Sequence, residues 1–381
     1  MRGSTRKRGS TWTAYWDAYD VESGGRRQKS KGGFRTQKEA QAHLATVITE
    51  TMAGTYVEPS KVPLSRFLVG EWLPAVRATV RPLTYRNYER TLHQHVIHSD
   101  IGATPLRALT AGHLTALYTD MERRGLAAST RRLTHSVLSR ALRDAKRWGQ
   151  IPRNPASDAT PPARGKGKAQ AWTPTELRRF LAHVREDRLY ALWRLAATTG
   201  MRRGELLGVT WRALNLERGS VRIDQQLIPV PGGCTFGPPK SARSERTISI
   251  DADTVDALRA HRDVQRLERD LAGEAYKDHD LVFANELGEP IYPKSLTAMF
   301  ARARRAAGIP TGTLHTLRHT AATLALTADP PTPLHIVAAR LGDDPTTLLR
   351  TYAHLLPRSD AAAAEAIAAI LVDKPLTEAA V

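Results

Sequence analysis

The chain has a single cysteine, Cys234, so it can form neither an intramolecular disulfide nor a cysteine-based zinc site, which suits a reducing cytoplasm. No apolar run approaches the length of a membrane span. The basic residues Arg2, Arg6, Lys7 and Arg8 are not followed by the apolar stretch of a secretory signal. No internal repeat is visible, and no spacing of ligating side chains fits a metal site. These absences exclude the membrane and disulfide-stapled classes and leave a cytoplasmic protein with no membrane partner. At 381 residues, it is long enough for two or three domains.

What is abundant is positive charge. The formal net charge is +18 with a pI near 10.3, which implies an acidic polymer as partner, most simply nucleic acid. Residues 1–60 hold 10 basic and 6 acidic side chains, residues 61–170 hold 19 and 7, and residues 171–381 hold 27 and 25. The excess is therefore concentrated in the middle segment, where a duplex is expected to lie. Arg81, Arg86, Arg90, Arg123, Arg124, Arg131, Arg132, Arg140, Arg143 and Arg147 are its candidate phosphate contacts.

Along the chain, Trp12, Ala14, Trp16 and Ala18 alternate with polar residues, the period of a strand. Ser23-Gly24-Gly25 marks a turn, and Arg26 to Lys31 reads as a basic return strand. Thr36 and Glu39 form a capping-box pattern that opens a helix, closed by Gly54. Helices are expected near 64–78, 83–96, 110–124 and 129–148. The last has Ser129 as candidate cap and a core stripe of Leu133, Val137, Leu138, Ala141, Leu142 and Ala145. The basic stretch 161–168 reads as a linker, and Thr173-Pro174-Thr175-Glu176 opens a new helix after it. Gly219 to Gln226 and Glu245 to Ile250 read as strands with Lys240 in the loop between them. The remainder is helical, ending in an alanine-rich apolar helix from Ser359 to Val372.

Four fragments carry chemistry. Thr199-Gly200-Met201-Arg202-Arg203-Gly204-Glu205 comes first, and Pro238-Pro239-Lys240-Ser241-Ala242-Arg243-Ser244-Glu245-Arg246 follows. Then come His315-Thr316-Leu317-Arg318-His319 and Thr351-Tyr352-Ala353-His354. Breaking a phosphodiester without a metal needs a nucleophile, an acid for the leaving oxygen, and fixed positive charge around phosphorus. A tyrosine phenoxide can form a stable phosphodiester that stores the bond energy. Arginine grips non-bridging oxygens with a planar fork that stays charged. A lysine of lowered pKa can protonate the departing oxygen. His315 and Arg318 stand at i and i+3, on one helical face. His319 and His354 read as structural or supporting groups. Each fragment alone is commonplace: a helix-starting turn, a hairpin lysine, a surface arginine, a packing tyrosine.

Their conjunction resembles the tyrosine recombinases, the phage-integrase family, over most of the chain. The Thr-Gly-Leu-Arg-like turn is matched at Arg202, with Glu205 as its buried orienting group. The Pro-Lys-Thr-like hairpin is matched at Lys240, the His-x-x-Arg helix at His315 and Arg318, and the nucleophile at Tyr352. The resemblance implies a multidomain, mainly α fold with small β elements. Its parts are an N-terminal arm-site DNA-binding module of sheet plus helix (1–58), a helical SAM-like core-binding domain (62–160) and a mostly helical catalytic domain (170–381). It implies cleavage and rejoining of double-stranded DNA attachment sites through a 3′-phosphotyrosyl intermediate, which needs no cofactor because the bond count is conserved. The working unit it implies is a homotetramer on DNA, with an excisionase and a DNA-bending host factor as candidate accessory partners. The N-terminal module favours a phage or mobile-element integrase. One position departs: where the family has Leu-Gly-His, or a tryptophan, this chain has Leu341-Gly342-Asp343. Asp343 is expected to cap the next helix or to orient Arg318 or His315, with activity surviving. A type IB topoisomerase and a non-catalytic DNA-binding protein are the rival readings.

Overall fold

The computed structural model describes residues 3–19, 26–52, 62–163, 171–230, 232–239, 241–355 and residue 368. The chain divides into two units, Met1–Lys166 and Gly167–Val381.

The first unit begins with an antiparallel sheet of Gly3–Arg8, Thr11–Tyr19 and Arg26–Phe34, with Thr11–Tyr19 in the centre. The alternation in the central strand buries Ala14 and Trp16 against Ala40, Leu44 and Val47 of the helix Gln37–Met52. Thr36 Oγ1 accepts the Glu39 N–H at 3.2 Å, while the Glu39 carboxylate takes the Arg35 N–H at 2.9 Å. This is the expected cap, with the return bond shifted back by one residue. The first strand was not foreseen. The expected 23–25 turn and Gly54 lie outside the described residues.

Residues 62–163 are helical. A continuous run of Leu64–Phe67, the wide turn Leu68–Trp72 and Leu73–Arg77 is followed by Pro82–Leu92, Ala111–Arg123 and Ala128–Arg147. Their apolar faces meet in one core built on Phe67, Trp72, Leu92, Leu114, Met121, Leu138 and Leu142. Each such side chain contributes about 1.5–3 kcal/mol of burial. Trp72 satisfies its indole by donating to Asp144 Oδ2 at 2.9 Å, the usual arrangement for a buried tryptophan. Two expectations are corrected here. The last helix is capped by Ala127, not Ser129, and Leu133 is 41% exposed rather than part of the core stripe. Position 133 falls at the edge of the buried arc defined by Thr134, Val137, Leu138 and Ala141.

In the second unit the capping box at Thr173 forms as its sequence dictates. Thr173 Oγ1 accepts the Glu176 N–H at 3.2 Å, and Glu176 accepts the Thr173 N–H at 2.8 Å. Behind it, Trp172, Phe180, Trp193 and Phe300 form an aromatic centre, with Trp172 stacked on Phe300 at 5.7 Å. The strands Ser220–Ile223 and Arg246–Ser249 pair antiparallel with Val221 opposite Ile248. The segment between them is not a simple loop, because Gln226–Val230 and Gly233–Gly237 form a hairpin of their own. The helices Ala252–Ala272, Pro293–Ala306, Leu314–Leu326, Leu334–Leu341 and Pro345–Tyr352 complete the unit. Lys240, most of the 161–168 stretch and the expected 359–372 helix lie outside the described residues. No helix among the described residues is long and apolar enough to cross a membrane.

Candidate active site

Four local structures converge on the turn Leu341–Asp343. The helix Tyr190–Thr199 stops at Gly200, whose φ of 65° is left-handed, a conformation glycine adopts without penalty. A Cβ at Gly200 would also come within 2.5 Å of Leu341. This stop turns the chain so that Arg202 becomes the cap residue of the short helix Arg203–Leu206. The helix Leu314–Leu326 carries His315, Arg318 and His319. The helix Leu334–Leu341 ends on a second left-handed glycine, Gly342 at φ 66°. There the Asp343 N–H returns to Ala338 O at 3.0 Å, as in a Schellman-type helix end. Asp344, not Asp343, caps the next helix by accepting the Thr346 N–H at 2.9 Å.

Asp343 joins the two arginines. Its Oδ1 accepts from Arg202 Nη2 and its Oδ2 from Arg318 Nη2, each at 2.6 Å. The adjoining carbonyls help: Gly342 O takes Arg202 Nη2 at 3.0 Å and Leu341 O takes Arg318 Nη2 at 2.8 Å. Arg318 also donates to Gly200 O at 2.8 Å and is only 4% exposed. Burial lowers its pKa, an effect that the Asp343 carboxylate opposes and the Arg202 charge reinforces. Of the two roles expected for Asp343, the structure shows the orienting one.

Glu205, 2% exposed, supports this pair from below. It accepts the Arg202 N–H at 2.9 Å, Arg202 Nη1 at 2.8 Å and Arg246 Nη2 at 3.0 Å. Burial alone would raise its carboxyl pKa. The hydrogen bond and charge of Arg246, then the bonds from Arg202, outweigh that and hold it below the ordinary carboxylate range. Ser244 Oγ takes Arg202 Nη1 at 3.2 Å, and Arg246 is anchored on Arg340 O and Ser244 O at 2.7 Å each.

Tyr352 is buried among Ala322, Leu326, Val337, Ala338, Leu341 and Leu348. Its hydroxyl lies 2.5 Å from His319 Nδ1. Burial pushes the phenol up to about 12, with Arg318 lowering it and Asp343 raising it. Burial, then the charges of His315 and Arg318, push His319 down to about 4. At neutral pH the pair is thus a neutral imidazole facing a neutral phenol. In the tautomer that carries its proton on Nε2, His319 Nδ1 accepts the phenol O–H. His315 stands edge-on to His319 at 4.6 Å. Burial, then the Arg318 charge, lowers its pKa too, with Asp343 opposing.

Of the five residues singled out in the sequence, the structure thus brings Arg202, His315, Arg318 and Tyr352 to one place, while Lys240 lies outside the described residues. Sequence reasoning gave His319 only a supporting role, yet it touches the phenol directly. Its spacing of four from His315, one helical turn, was the available signal. Among the described residues no group of three or more His, Cys, Asp or Glu side chains could hold a metal ion.

The fold is that of solved integrases. The chain resembles the integrase of transposon Tn1549, solved with a circular intermediate DNA. The TM-score is 0.68 at 20% identity, over 82% of this chain and all of that one. A lambda integrase tetramer bound to a Holliday junction gives 0.56 at 18% identity, over 88% and 92%. Residues 170–358 match the phage integrase family and residues 4–51 an arm DNA-binding domain. Among curated relatives, a XerC-like tyrosine recombinase of Caldanaerobacter subterraneus is 26% identical over 87% of this chain and 90% of its own length. An integrase of Streptomyces ambofaciens is 27% identical over 73% and 72%. The chain belongs to the phage integrase family, the tyrosine recombinases.

Proposed function

We propose that this chain is a site-specific integrase of a phage or mobile element, with Tyr352 as nucleophile and Arg202, Lys240, His315 and Arg318 around the scissile phosphate. One observation carries the reading: two guanidinium forks from distant segments are held side by side by a single turn, beside a buried phenol. In the first step the Tyr352 oxygen attacks phosphorus and the bond to the 5′ oxygen breaks. The phenol proton passes to His319, and Lys240 supplies a proton to the leaving oxygen. Arg202 and Arg318 neutralise the charge that grows on the non-bridging oxygens, the kind of fixed donors that often contribute most. The product is a 3′-phosphotyrosyl bond. Attack by a 5′ hydroxyl from a second duplex reverses these transfers and joins the new strands.

The same reading assigns residues 1–58 to arm sites, 62–160 to the core site and 170–381 to catalysis. The basic excess in 61–170 supports the second assignment. The working form is a homotetramer on paired attachment sites in the bacterial cytoplasm, at the nucleoid. An excisionase and a DNA-bending host protein set direction.

The test is a plasmid carrying the two element–chromosome junctions that flank the gene, incubated with the protein and EDTA, with and without those accessory proteins. The expected product is an excised circle. Equal relaxation of plasmids lacking the junctions would instead make the protein a topoisomerase, and DNA binding without any product would make it a non-catalytic binder. In the same assay His319→Phe should slow strand exchange by about a hundredfold, the usual effect of losing a proton acceptor. An unchanged rate would show that the phenol proton goes elsewhere.

A further inference from the structure

We infer that Asp343 is an internal anion: it occupies the phosphate seat of Arg202 and Arg318 and gives way when a phosphodiester arrives. The inference rests on the reading of these two arginines as the phosphate-binding pair.

A carboxylate offers two oxygens and one negative charge, as do the two non-bridging oxygens of a phosphodiester, and planar guanidinium forks bind both. Asp343 spends one oxygen on each arginine, both at 2.6 Å, and such charge-assisted bonds are roughly twice as strong as neutral ones. A phosphate cannot take those two Nη2 groups while the carboxylate holds them, because two anions at contact distance repel strongly in a partly desolvated site.

The Asp343 backbone is fixed on one side by its N–H bond to Ala338 O after the left-handed Gly342. On the other side, Asp344 caps the following helix. Only the side-chain torsions of Asp343 are left free. Its side chain is 25% exposed, close to the 28% of Arg202 and well above the 4% of Arg318, so the carboxylate has an open side into which it can rotate. The arginines keep other anchors when it leaves. Arg202 retains Glu205, Ser244 and Gly342 O, and Arg318 retains Gly200 O and Leu341 O.

The carboxylate therefore does two things. It keeps the two forks aligned before DNA binds, and it raises the threshold for any anion. Only a phosphate already positioned by the rest of a bound duplex displaces it. A histidine or tryptophan at this position would supply the phosphate with a donor and would not compete for the arginines.

The experiment is a titration of the full-length protein with inorganic phosphate, followed by calorimetry, after a cooperative melt has shown that each variant is folded. Asp343→Asn removes the charge at nearly constant shape and should tighten phosphate binding by about tenfold, a conservative figure for removing a hydrogen-bonded competing anion. Asp343→Ser should give the same gain, and serves if the asparagine variant does not fold. Adding Arg318→Gln to either variant should erase the gain, which separates this seat from other basic patches. Phosphate binding that is unchanged or weaker in both single variants would overturn the inference, since a carboxylate that only props up the arginines would weaken the site when lost. Neither result depends on cleavage. If Tyr352 failed to form an adduct, the recombinase reading would fall while a phosphate gain would still stand, and the converse would hold if only the gain were missing.

Discussion

Replacing Arg318 with glutamine is expected to lower both stability and cleavage, each by a large amount. Arg318 is buried and satisfies two carbonyl oxygens and a carboxylate, those of Gly200, Leu341 and Asp343. Glutamine has neither the reach nor the donors to replace it. Removing one partner of a buried ion pair costs about 3–5 kcal/mol, because the other charge is left uncompensated. Asp343 is partly exposed and can rehydrate, so the lower end, about 3 kcal/mol, is expected here. Cleavage should fall by about 10²–10³-fold, the loss seen when one fixed donor is taken from a developing oxyanion. Arg318→Lys separates the two effects. It keeps a charge for Asp343 and recovers part of the stability, but one ammonium cannot fork between phosphate and carbonyls, so the rate stays low. Urea unfolding and cleavage of a nicked duplex read the two quantities. Cleavage by Arg318→Gln within tenfold of the parent would remove Arg318 from the mechanism.

Glu205 should be the acid-sensitive element of the fold. Its folded pKa lies below its ordinary value of 4.5. The stability it contributes is therefore complete above that value and is lost as pH falls toward the depressed folded pKa. Glu205→Gln keeps the size but not the charge, leaving Arg246 and Arg202 facing a neutral amide. At pH 7 the variant should be less stable by about 3 kcal/mol, the cost of breaking a buried pair. Between about pH 5 and pH 3 the gap should narrow, because only the parent still has a charge to lose in that window. Urea midpoints measured for both proteins across this range check the claim. A gap that stays constant down to pH 3 would show that the carboxylate does not titrate with folding.

Much of this site could be read from residues that act locally. The capping box at Thr173 and Glu176 formed as its sequence dictates, and so did the alternating strand around Ala14 and Trp16. Gly200 stops a helix and sends Arg202 inward, a consequence of backbone sterics that a Thr-Gly-x-Arg string already encodes. Other features had no local signal. The strand Gly3–Arg8 shows no alternation because nearly all of it is exposed. Its partner strand, not its own composition, decides its conformation. The hairpin 226–237 carries Pro229 and three glycines, residues that weaken any strand pattern. The bridging role of Asp343 depends on the left-handed Gly342 and on two arginines delivered by other helices, so no spacing along the chain encodes it. The contact of His319 with Tyr352 likewise exists only because Pro345–Tyr352 packs back on Leu314–Leu326.

The central claim is that the Tyr352 oxygen becomes covalently joined to DNA. A junction duplex nicked just beyond the cleavage point lets the short 5′-hydroxyl fragment diffuse away, so that the intermediate cannot reverse. With the parent protein, denaturing electrophoresis should show a protein–DNA adduct, and peptide mass spectrometry should place the nucleotide on Tyr352. The account predicts that Tyr352→Phe, which leaves the ring and its packing in place, gives no adduct at all. An adduct of normal yield with the phenylalanine variant would contradict it.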